Sequence, residues 1–551
     1  MVDDKSKRTE GFLQTVVAIS IRARADGAGI FSDRSEVPMN EPVKRAMRSD
    51  SKRMTAALWL LVALCVTRFW VMPLPAGFWV DESVTAFVVN HPHDPSFRIA
   101  PQVPLSIYYQ IPRISTALLG SSEAAYRLPS LLMAVVALWL IARLASRLIH
   151  PDAAWFVVFA CLSLRGLNFE AIDARPYALG ILVASASLFF LVRWLDRAGW
   201  MDALLFAIAA VLLWRVHLMF WPFYAVYGIY AAVRVARRET QVRAQHLLAV
   251  FFVVGLLLLP VAGQAISLAK HAETHVIASM PALRDFVHAV HLPFVAFCAA
   301  TAWVLWRLFS QWAQRSESSV SSLCLCIAWW LVTPAAIFAV SWITGNSIFV
   351  TRYYSEAAPG VAFAAAGLSA LFLPARWWRR MALGFGIGVL FLVGNWAALW
   401  PQHSPSRWRE ASQAIVEAGV QSGTPVICPS PFVEAQSPVW YPNYPMPDFL
   451  SCHLLRYQPP GEKYLFPFLP SPEAEKFAAE LTETKLAPAR RFFLYGSDRT
   501  VRYWSDWFAH QPKLIHWSCR SLGEFGDVEA VVFEAPPSGR SEATKDTRRI
   551  H

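Results

Sequence analysis

The chain has 551 residues, of which 55% are hydrophobic and 16% charged, and its mean hydropathy is +0.36. A chain of this size and hydropathy is too apolar to be an ordinary soluble protein, so the composition predicts a polytopic membrane protein. The formal net charge of +11 would suit nucleic acid only if the basic residues clustered, but beyond the N-terminal tail they are dispersed in small groups between apolar runs. We therefore predict no nucleic-acid partner.

The N-terminal segment, residues 1–53, mixes basic and acidic residues and contains only one modest apolar patch, at 12–21. That patch is too short to cross a bilayer. No cleavage-site pattern follows an apolar core, so the segment does not resemble a signal peptide. We predict that residues 1–53 are a disordered cytoplasmic tail.

Apolar runs of helical length fill residues 54–400. Because a bilayer core roughly 30 Å thick needs about 20 apolar helical residues, these runs predict about eleven transmembrane helices. The predicted spans lie near 54–74, 124–146, 152–167, 177–195, 201–216, 218–234, 246–268, 289–308, 320–343, 357–373 and 381–400.

Arginines mark one side of the predicted bundle. Five loops return to the side of the N-terminal tail, and the positive-inside rule places these arginine-bearing loops in the cytoplasm. An odd number of spans then places residues 401–551 outside the cytoplasm. We predict a multi-pass protein integral to the plasma (inner) membrane, with a cytoplasmic N-terminus. The arginines of these loops are Arg143, Arg147, Arg193, Arg197, Arg234, Arg237, Arg238, Arg243, Arg307, Arg315, Arg376, Arg379 and Arg380.

The polar C-terminal region changes in character. Helix-like and strand-like stretches alternate over residues 401–535, which predicts a small extracytoplasmic α/β domain, and residues 536–551 are expected to be a disordered end. Cys428 and Cys452 could form a disulfide if this region lies outside the cytoplasm. The predicted elements are helices at 406–418 and 500–508 and strands at 424–428, 491–495 and 528–533.

Two adjacent carboxylates, Asp81 and Glu82, lie near the start of the long first outer loop, residues 75–123. Charged groups so close to hydrocarbon are costly, so their position requires an explanation. An inverting sugar transferase needs one carboxylate to accept the proton of the attacking hydroxyl, and Asp81 fits that role. Glu82 could orient an acceptor, raise the pKa of Asp81 or share a divalent cation with it. The alternative is a helix exit capped by solvated acids.

A second polar group, Asp173, Arg175 and Tyr177, lies in the predicted outer loop between the third and fourth spans. The planar guanidinium of Arg175 suits a phosphate, and Asp173 could hold that guanidinium in place. Pro176 would begin the next helix, which places Arg175 at the positive end where anions bind. The alternative is a structural ion pair at the membrane interface.

Two further pairs flank predicted outer turns. Arg215 and His217 lie between two short spans, and a cation so close to apolar sequence suggests a lipid phosphate as its partner, although a lone histidine there is more often a core residue. Arg352 and Tyr353 open the tenth span and could bind a phosphate or a sugar. The alternative for this pair is a snorkelling arginine in an aromatic belt.

Glu123 and Arg127 stand four residues apart at the start of the second span. Residues with this spacing are neighbours on one face of a helix. The simplest interpretation is an ion pair within that helix.

Five short motifs follow one another along the predicted bundle. They are Val80-Asp81-Glu82; Pro104-Leu105-Ser106-Ile107-Tyr108; Ser122-Glu123 with Arg127-Leu128-Pro129-Ser130; Asp173-Ala174-Arg175-Pro176-Tyr177-Ala178-Leu179; and Arg352-Tyr353. In this order they resemble bacterial glycosyltransferase family 39-like proteins, relatives of the protein O-mannosyltransferases and of the lipid A aminoarabinose transferases within the GT-C fold. The resemblance extends over about residues 54–400.

This resemblance implies an integral membrane enzyme of the GT-C type. Such an enzyme takes a sugar from a polyprenyl-phosphate carrier and transfers it to an extracytoplasmic acceptor, which is a glycolipid, a cell-wall polysaccharide or a protein. The resemblance implies that Asp81 is the catalytic base, Glu82 its acidic neighbour, and Arg175 and Arg352 residues near the donor phosphate. No cofactor is predicted, since no P-loop or dinucleotide-binding pattern occurs; a divalent cation is an open alternative without support in the sequence.

Departures from the family pattern leave other functions open. Residues 83–87 lack the tyrosine often found after the acidic pair, so acceptor binding is undefined, and no Trp-Trp-Asp sequence occurs, which argues against an oligosaccharyltransferase. The competing class is a transporter or lipid-linked-sugar flippase that makes no bond. Such a protein should have ionisable residues near mid-span and related halves, whereas the acids here lie mostly at predicted outer ends. A sensor or scaffold would leave these charges unexplained.

Overall fold

The computed structural model describes residues 41–94, 106–269, 278–309, 319–432, 435, 450 and 452–537. The chain divides into two units, Met1–Ala56 and Ala57–His551. The helices are α1 (Glu41–Val66), α2 (Val80–Asn90), α3 (Gln110–Leu119), α4 (Glu123–Leu148), α5 (Ala153–Ser163), α6 (Arg165–Glu170), α7 (Tyr177–Arg197), α8 (Trp200–Val216), α9 (Phe223–Ala236), α10 (Ala244–Ala269), α11 (Leu283–Ala289), α12 (Leu292–Phe309), α13 (Val320–Thr344), α14 (Ala358–Ala370), α15 (Trp378–Val393), α16 (Trp408–Glu417), α17 (Cys452–Arg456), α18 (Pro472–Leu481), α19 (Ala487–Ala489) and α20 (Asp498–Ala509). Turns of 3-10 helix occupy Ile107–Tyr109, Leu218–Phe220, Thr351–Ala357 and Ala375–Trp377, and π-helical turns occupy Thr67–Val71 and Thr482–Leu486.

Among the described residues, 7 helical segments are long and apolar enough to cross a membrane. This confirms the predicted class, an integral, polytopic helical membrane protein. Helices occupy the other predicted positions as well, but they are shorter, from 11 residues in α5 to 17 in α8, so the larger predicted number of spans stays a prediction. The seven segments are Ser51–Val71, Glu123–Leu148, Tyr177–Arg197, Leu218–Ala236, Ala244–Ile266, Leu292–Phe309 and Val320–Thr344.

The first helix begins at Glu41, inside the segment predicted to be a disordered tail. Residues 41–53 are rich in Glu, Lys, Arg, Ala and Met, which have high helix propensity, so the polar stretch continues the helix of the apolar run that follows. The structure thus has residues 41–53 in a helix, where the sequence predicted disorder. Residues 1–40 lie outside the described part of the chain, as does most of the predicted C-terminal tail, residues 538–551.

Glycines allow close packing inside the helix bundle. A Cβ on Gly360 of α14 would lie 2.5 Å from the carbonyl carbon of Trp329 in α13, and one on Gly180 of α7 would lie 2.2 Å from the ring of Phe220. Small residues at helix contacts let backbones approach in this way. The contact at Gly360 fixes the start of α14, and with it the preceding segment Thr351–Ala357, which carries Arg352.

Ion pairs join several helices at one end of the bundle. Arg147 Nε donates to Asp196 Oδ2 at 2.7 Å, and Arg234 Nη2 donates to Asp196 Oδ1 at 2.5 Å. Arg379 Nε donates to Asp152 Oδ1 at 2.7 Å. These arginines belong to the loops predicted to be cytoplasmic. The opposite end of the bundle carries α2 and the α/β domain.

A five-stranded sheet with the order β2-β1-β3-β5-β4 forms the C-terminal domain, which confirms the predicted α/β character. The strand β1 is parallel to β2 and β3, whereas β5 is antiparallel to β3 and β4. Strands β2 and β4 and helix α18 were not predicted from the sequence. Both missed strands are sheet edges whose partly exposed, polar sequences lack the apolar alternation of a buried strand. The strands are β1 (Pro425–Pro429), β2 (Glu462–Phe466), β3 (Arg491–Ser497), β4 (Ser518–Phe525) and β5 (Val528–Glu534).

The helix α2 packs into the core of the α/β domain. Phe87 and Val88 of α2 belong to the same buried apolar cluster as Ile427 of β1 and Leu494 of β3. An apolar contact of this kind is stabilised mainly by removal of side-chain surface from water. The first outer loop, residues 75–123, therefore contributes α2 to the apolar core of the α/β domain.

Cys428 and Cys452 form no disulfide, and both are buried free thiols. The Sγ atom of Cys428 lies 3.2 Å from Nε2 of His453. Burial lowers the pKa of His453 to about 3, so its ring is neutral and can share a proton with the thiol. The proposed disulfide is replaced by this neutral pair.

Candidate active site

Asp81 and Glu82 occupy the first turn of α2, where the helix dipole favours carboxylates. The backbone N–H of Trp79 donates to Oε2 of Glu82 at 3.4 Å. The two acids nevertheless differ in surroundings, because the Asp81 side chain is 20% exposed and that of Glu82 is 0% exposed. Only Asp81 is open to a substrate.

Glu82 is paired with Arg127 of α4 inside the protein. Arg127 Nε donates to Glu82 Oε1 at 2.7 Å, a second guanidinium nitrogen contacts Oε2, and the N–H of Ala174 donates to Oε1 at 3.0 Å. Burial by itself would raise the pKa of Glu82, but the charge and hydrogen bonds of Arg127 hold that pKa below its usual value. Glu82 is thus an ionised, charge-paired group.

Arg127 also binds the chain that leads into α2. Its guanidinium donates to three backbone carbonyls of the segment 74–77, at distances of 2.5 to 3.0 Å. The predicted pair of Glu123 with Arg127 is wrong, since Arg127 points to Glu82 and these carbonyls. Glu123 instead accepts a hydrogen bond from Tyr457 of the α/β domain, with 2.9 Å between Oε1 and the phenol oxygen.

Asp81 forms an ion pair with Arg352. The distance between Asp81 Oδ2 and Arg352 Nη1 is 2.9 Å, and the two side chains are 20% and 33% exposed. The guanidinium of Arg352 lies over the rings of Trp79 and Tyr353, at 5.9 and 5.7 Å from their centroids. The carboxylate and the cation singled out in the sequence therefore meet, and both keep access to solvent.

Arg175 lies on the other side of the same turn. Its Nη1 donates to the backbone oxygen of Asp81 and to the phenol oxygen of Tyr109, each at 3.3 Å. Asp173, the predicted partner of Arg175, accepts instead from Trp79 Nε1 at 3.0 Å. The predicted ion pair between Asp173 and Arg175 does not form, and Nε of Arg175 has no hydrogen-bond partner among the described residues.

His403, which the sequence analysis did not single out, lies between two of these acids. Its Nε2 is 3.6 Å from Asp173 Oδ1 and 3.7 Å from Glu82 Oε1. Its ring stacks on Phe169 with 4.2 Å between centroids. Burial raises the pKa of Asp173, because a charged carboxylate is less favourable away from water. A lone histidine just after the last span gives no signal of this position in the sequence.

Glu82, Asp173 and His403 are also the one group in the described part of the chain whose ligand atoms could hold a metal ion, all within 4.8 Å of one another. The charge of Arg127, whose Nε lies 2.7 Å from Glu82 Oε1, already compensates Glu82. The same positive charge would repel a divalent cation bound to that carboxylate. Asp81 points away from Glu82 to Arg352, so the two acids are not arranged to share a cation. We assign no metal to this site.

Aromatic rings surround the two site arginines. The ring of His217 lies 5.5 Å from the rings of both Tyr177 and Tyr353. Burial, with the positive charges of Arg175 and Arg352, lowers the pKa of His217 to about 3. His217 is therefore a neutral hydrogen-bonding group beside the arginines.

Arg215 is the one predicted site residue that the structure does not bring to this cluster. It is exposed at the end of α8, and its Nη2 lies 3.4 Å from the backbone oxygen of Leu257 in α10. The sharp turn after α8 directs His217 inward and Arg215 outward. Arg215 is better placed for lipid headgroups than for the group around Asp81.

A buried carboxyl, Glu170, adds to the site although no separate role was predicted for it. Burial and the nearby charge of Asp173 hold its pKa well above the usual value, so Glu170 is protonated. It lines a cavity of about 40 Å³ together with Thr351 and Tyr354. A protonated carboxyl in this place can donate a hydrogen bond.

Glu356 should make the stability of the protein fall as the pH rises from about 4.5 to about 8. It is buried, it has no charged partner among the described residues, and burial raises its pKa from 4.5 to about 8. Because the pKa is raised in the folded state, the stabilisation is complete below the unfolded pKa and is lost as the pH rises through about 8. Thermal unfolding of the detergent-solubilised protein should show wild type losing stability between about pH 4.5 and pH 8, and Glu356→Gln retaining it.

The exposed Glu480 supplies the control for this experiment, because Glu480→Gln removes the same charge from the surface. This variant should follow the pH dependence of wild type. An identical fall in wild type and Glu356→Gln would show that Glu356 does not titrate in this range.

Comparison with known proteins supports the resemblance found in the sequence. Residues 102–262 match the family model described as dolichyl-phosphate-mannose-protein mannosyltransferase. The matched stretch contains Asp173, Arg175 and Tyr177 and ends before Arg352. The predicted resemblance to mannosyltransferase relatives is thereby confirmed. No curated protein matches the sequence.

Solved structures give weaker likenesses. ArnT from Cupriavidus metallidurans in the apo state is 13% identical, with a TM-score of 0.49 over 87% of this chain and 98% of that chain. The same protein bound to undecaprenyl phosphate is 12% identical, with a TM-score of 0.47 and the same coverage of 87% and 98%. Arabinosyltransferase EmbB from Mycobacterium smegmatis is 17% identical, with a TM-score of 0.38 over 65% of this chain and 33% of that chain. All three TM-scores lie below 0.5, so no residue role is taken from these proteins.

Proposed function

We propose that the protein is a membrane glycosyltransferase that moves a sugar from a polyprenyl-phosphate donor to an acceptor outside the cytoplasm. The observation that carries this proposal is the meeting of Asp81 with Arg352 and Arg175 at the end of the bundle that bears the α/β domain. A carboxylate beside two cations suits a reaction in which a hydroxyl loses a proton while a phosphate leaves. The match of residues 102–262 to the mannosyltransferase family model supports the same class of reaction.

The proposed reaction is an inverting displacement at the anomeric carbon. Asp81 takes the proton of the acceptor hydroxyl, whose oxygen forms the new bond to that carbon as the bond to the lipid phosphate oxygen breaks. Arg175 and Arg352 bind the phosphate and stabilise the charge that develops on it. Arg352 exchanges its bond to Asp81 for one to the phosphate, which leaves the carboxylate free to act as the base.

The orientation of the protein belongs to the same proposal. The arginine-bearing end, with Arg147 and Arg234, faces the cytoplasm, and the site end with the α/β domain faces outward. A lipid-linked donor suits this side, where the long carrier can remain in the bilayer while its sugar reaches the site. An inner-membrane location and an extracytoplasmic C-terminal domain are part of this proposal.

A transfer assay tests the proposal. Purified full-length protein in lipid nanodiscs is offered a panel of polyprenyl-phosphate sugars with glycolipid, polysaccharide and peptide acceptors, and products are identified by mass spectrometry. We expect a glycosylated acceptor and free polyprenyl phosphate from at least one donor. Movement of a labelled donor across vesicles without any new glycosidic bond would instead identify the protein as a flippase.

A further inference from the structure

The segment 75–90, which carries Asp81, lies between the helix bundle and the α/β domain. Helix α17 of the domain packs directly on α2, and Val80 contacts both apolar clusters of the domain. Phe87 and Val88 extend that contact along α2. The domain therefore covers the segment from the side opposite the bundle.

Tyr457, just after α17, makes the polar contact between the domain and this segment. Its phenol oxygen accepts a hydrogen bond from the backbone N–H of Phe78 at 2.7 Å and donates to Oε1 of Glu123 at 2.9 Å. Burial and the charge of Glu123 raise the pKa of Tyr457, so the phenol keeps the proton that it donates. Both hydrogen bonds depend on the one hydroxyl group.

Arg127 binds the same peptide unit from the bundle side. The carbonyl of Gly77 and the N–H of Phe78 belong to one peptide bond, and the carbonyl accepts from Arg127 Nη2 at 3.0 Å while the N–H donates to Tyr457. Because a peptide bond is planar, two partners on opposite edges fix the orientation of that plane. Asp81 follows Phe78 by three residues, so its direction depends on this plane.

Two arginines of the domain strengthen the contact around Tyr457. Arg456 Nη2 donates to the backbone oxygen of Ser121 at 2.6 Å and lies 3.5 Å from Oε1 of Glu123. Arg409 Nη1 donates to the backbone oxygen of Pro75 at 3.1 Å. These contacts place the phenol of Tyr457 beside the peptide that it binds.

We propose that the α/β domain is a component of the active site, and that Tyr457 is a positioning residue that sets the orientation of Asp81 through the peptide bond between Gly77 and Phe78. The expected effect of Tyr457 on turnover rests on the proposed function. The expected effect of Tyr457 on the backbone of the segment 75–90 is independent of that function.

The test compares Tyr457→Phe with Tyr464→Phe in the full-length protein. Tyr464 lies on the edge strand β2 of the same domain, and its phenol oxygen makes no hydrogen bond to the segment 75–90, so its replacement removes a phenol oxygen without touching the peptide between Gly77 and Phe78. Hydrogen–deuterium exchange should show faster exchange of the backbone over residues 75–90 in Tyr457→Phe, and the wild-type pattern in Tyr464→Phe. The kcat for transfer should fall about tenfold in Tyr457→Phe, because a small misplacement of a reacting group is costly. The KM for the donor should change less than about twofold, since Arg175 and Arg352 are untouched.

Each outcome of this comparison decides the inference. Unchanged exchange over residues 75–90 in Tyr457→Phe overturns it, whether or not the protein transfers sugar. Faster exchange with unchanged kcat also overturns it, because the hydrogen bond would then be structural without an effect on Asp81. If wild type makes no product with any donor, the proposed function fails, and the exchange data alone decide whether the domain orients the segment.

Discussion

Asp81→Asn is expected to lower the rate of sugar transfer by about 10²–10⁴-fold, the range that removal of a general base usually costs. The amide has nearly the same shape as the carboxylate but cannot accept the proton of the attacking hydroxyl. Asp81 is partly exposed, and its loss leaves no unpaired charge in the interior, because Arg352 is itself 33% exposed. The folded structure and donor binding should therefore persist.

Single-turnover transfer, with thermal unfolding measured on the same sample, checks this expectation. Asp506→Asn is the matched control, since the side chain of Asp506 is 80% exposed on α20 of the α/β domain. The control should transfer sugar at the wild-type rate. A wild-type rate in Asp81→Asn would remove Asp81 from the role of base.

Glu82→Gln is expected to destabilise the protein by about 3–5 kcal/mol, the usual cost of removing one partner of a buried ion pair. Arg127 and Glu82 are both 0% exposed, so the amide would leave the guanidinium without a counter-charge inside the protein. The loss should appear as a lower unfolding temperature and a lower yield of folded protein. Any loss of transfer should follow the loss of folded protein.

The exposed pair of Glu462 with Lys485 gives the comparison. The side chains of Lys485 and Glu462 are 50% and 46% exposed, so Glu462→Gln should cost about 1 kcal/mol or less. If Glu82→Gln instead unfolded like wild type and yet made no product, Glu82 would act on a substrate. That result would support the predicted catalytic role of Glu82 and contradict a role in stability.

The sequence predicted well those features that depend on local pattern. Apolar runs located the membrane helices, and the carboxylate and arginine at the ends of such runs, Asp81 and Arg352, proved to be neighbours. This prediction succeeded because a charge is costly in hydrocarbon. Charged residues that flank membrane helices on the same side therefore lie together at that membrane face. Strands with buried, apolar sequences, such as β1, β3 and β5, were located for a similar reason.

Contacts between distant segments could not be predicted in this way. The spacing of Glu123 and Arg127 favours a local pair, but backbone carbonyls at 74–77 and the carboxylate of Glu82 offer Arg127 more hydrogen bonds than the single carboxylate of Glu123 would. His403 lies beside Asp173 because of the course that the chain takes after α15, and no local pattern in the sequence predicts that course. A single sequence gives residue types and spacing, and neither identifies these partners.

The packing of α2 against the sheet has a practical consequence for dissecting the protein. Phe87 and Val88 share one buried cluster with β1 and β3. A truncation after the last membrane helix would therefore expose apolar surface on α2, the helix whose first turn carries Asp81 and Glu82. Such a fragment would tend to aggregate, and its inactivity would carry no information about chemistry. Point substitutions in the intact polypeptide are the sounder genetic tool.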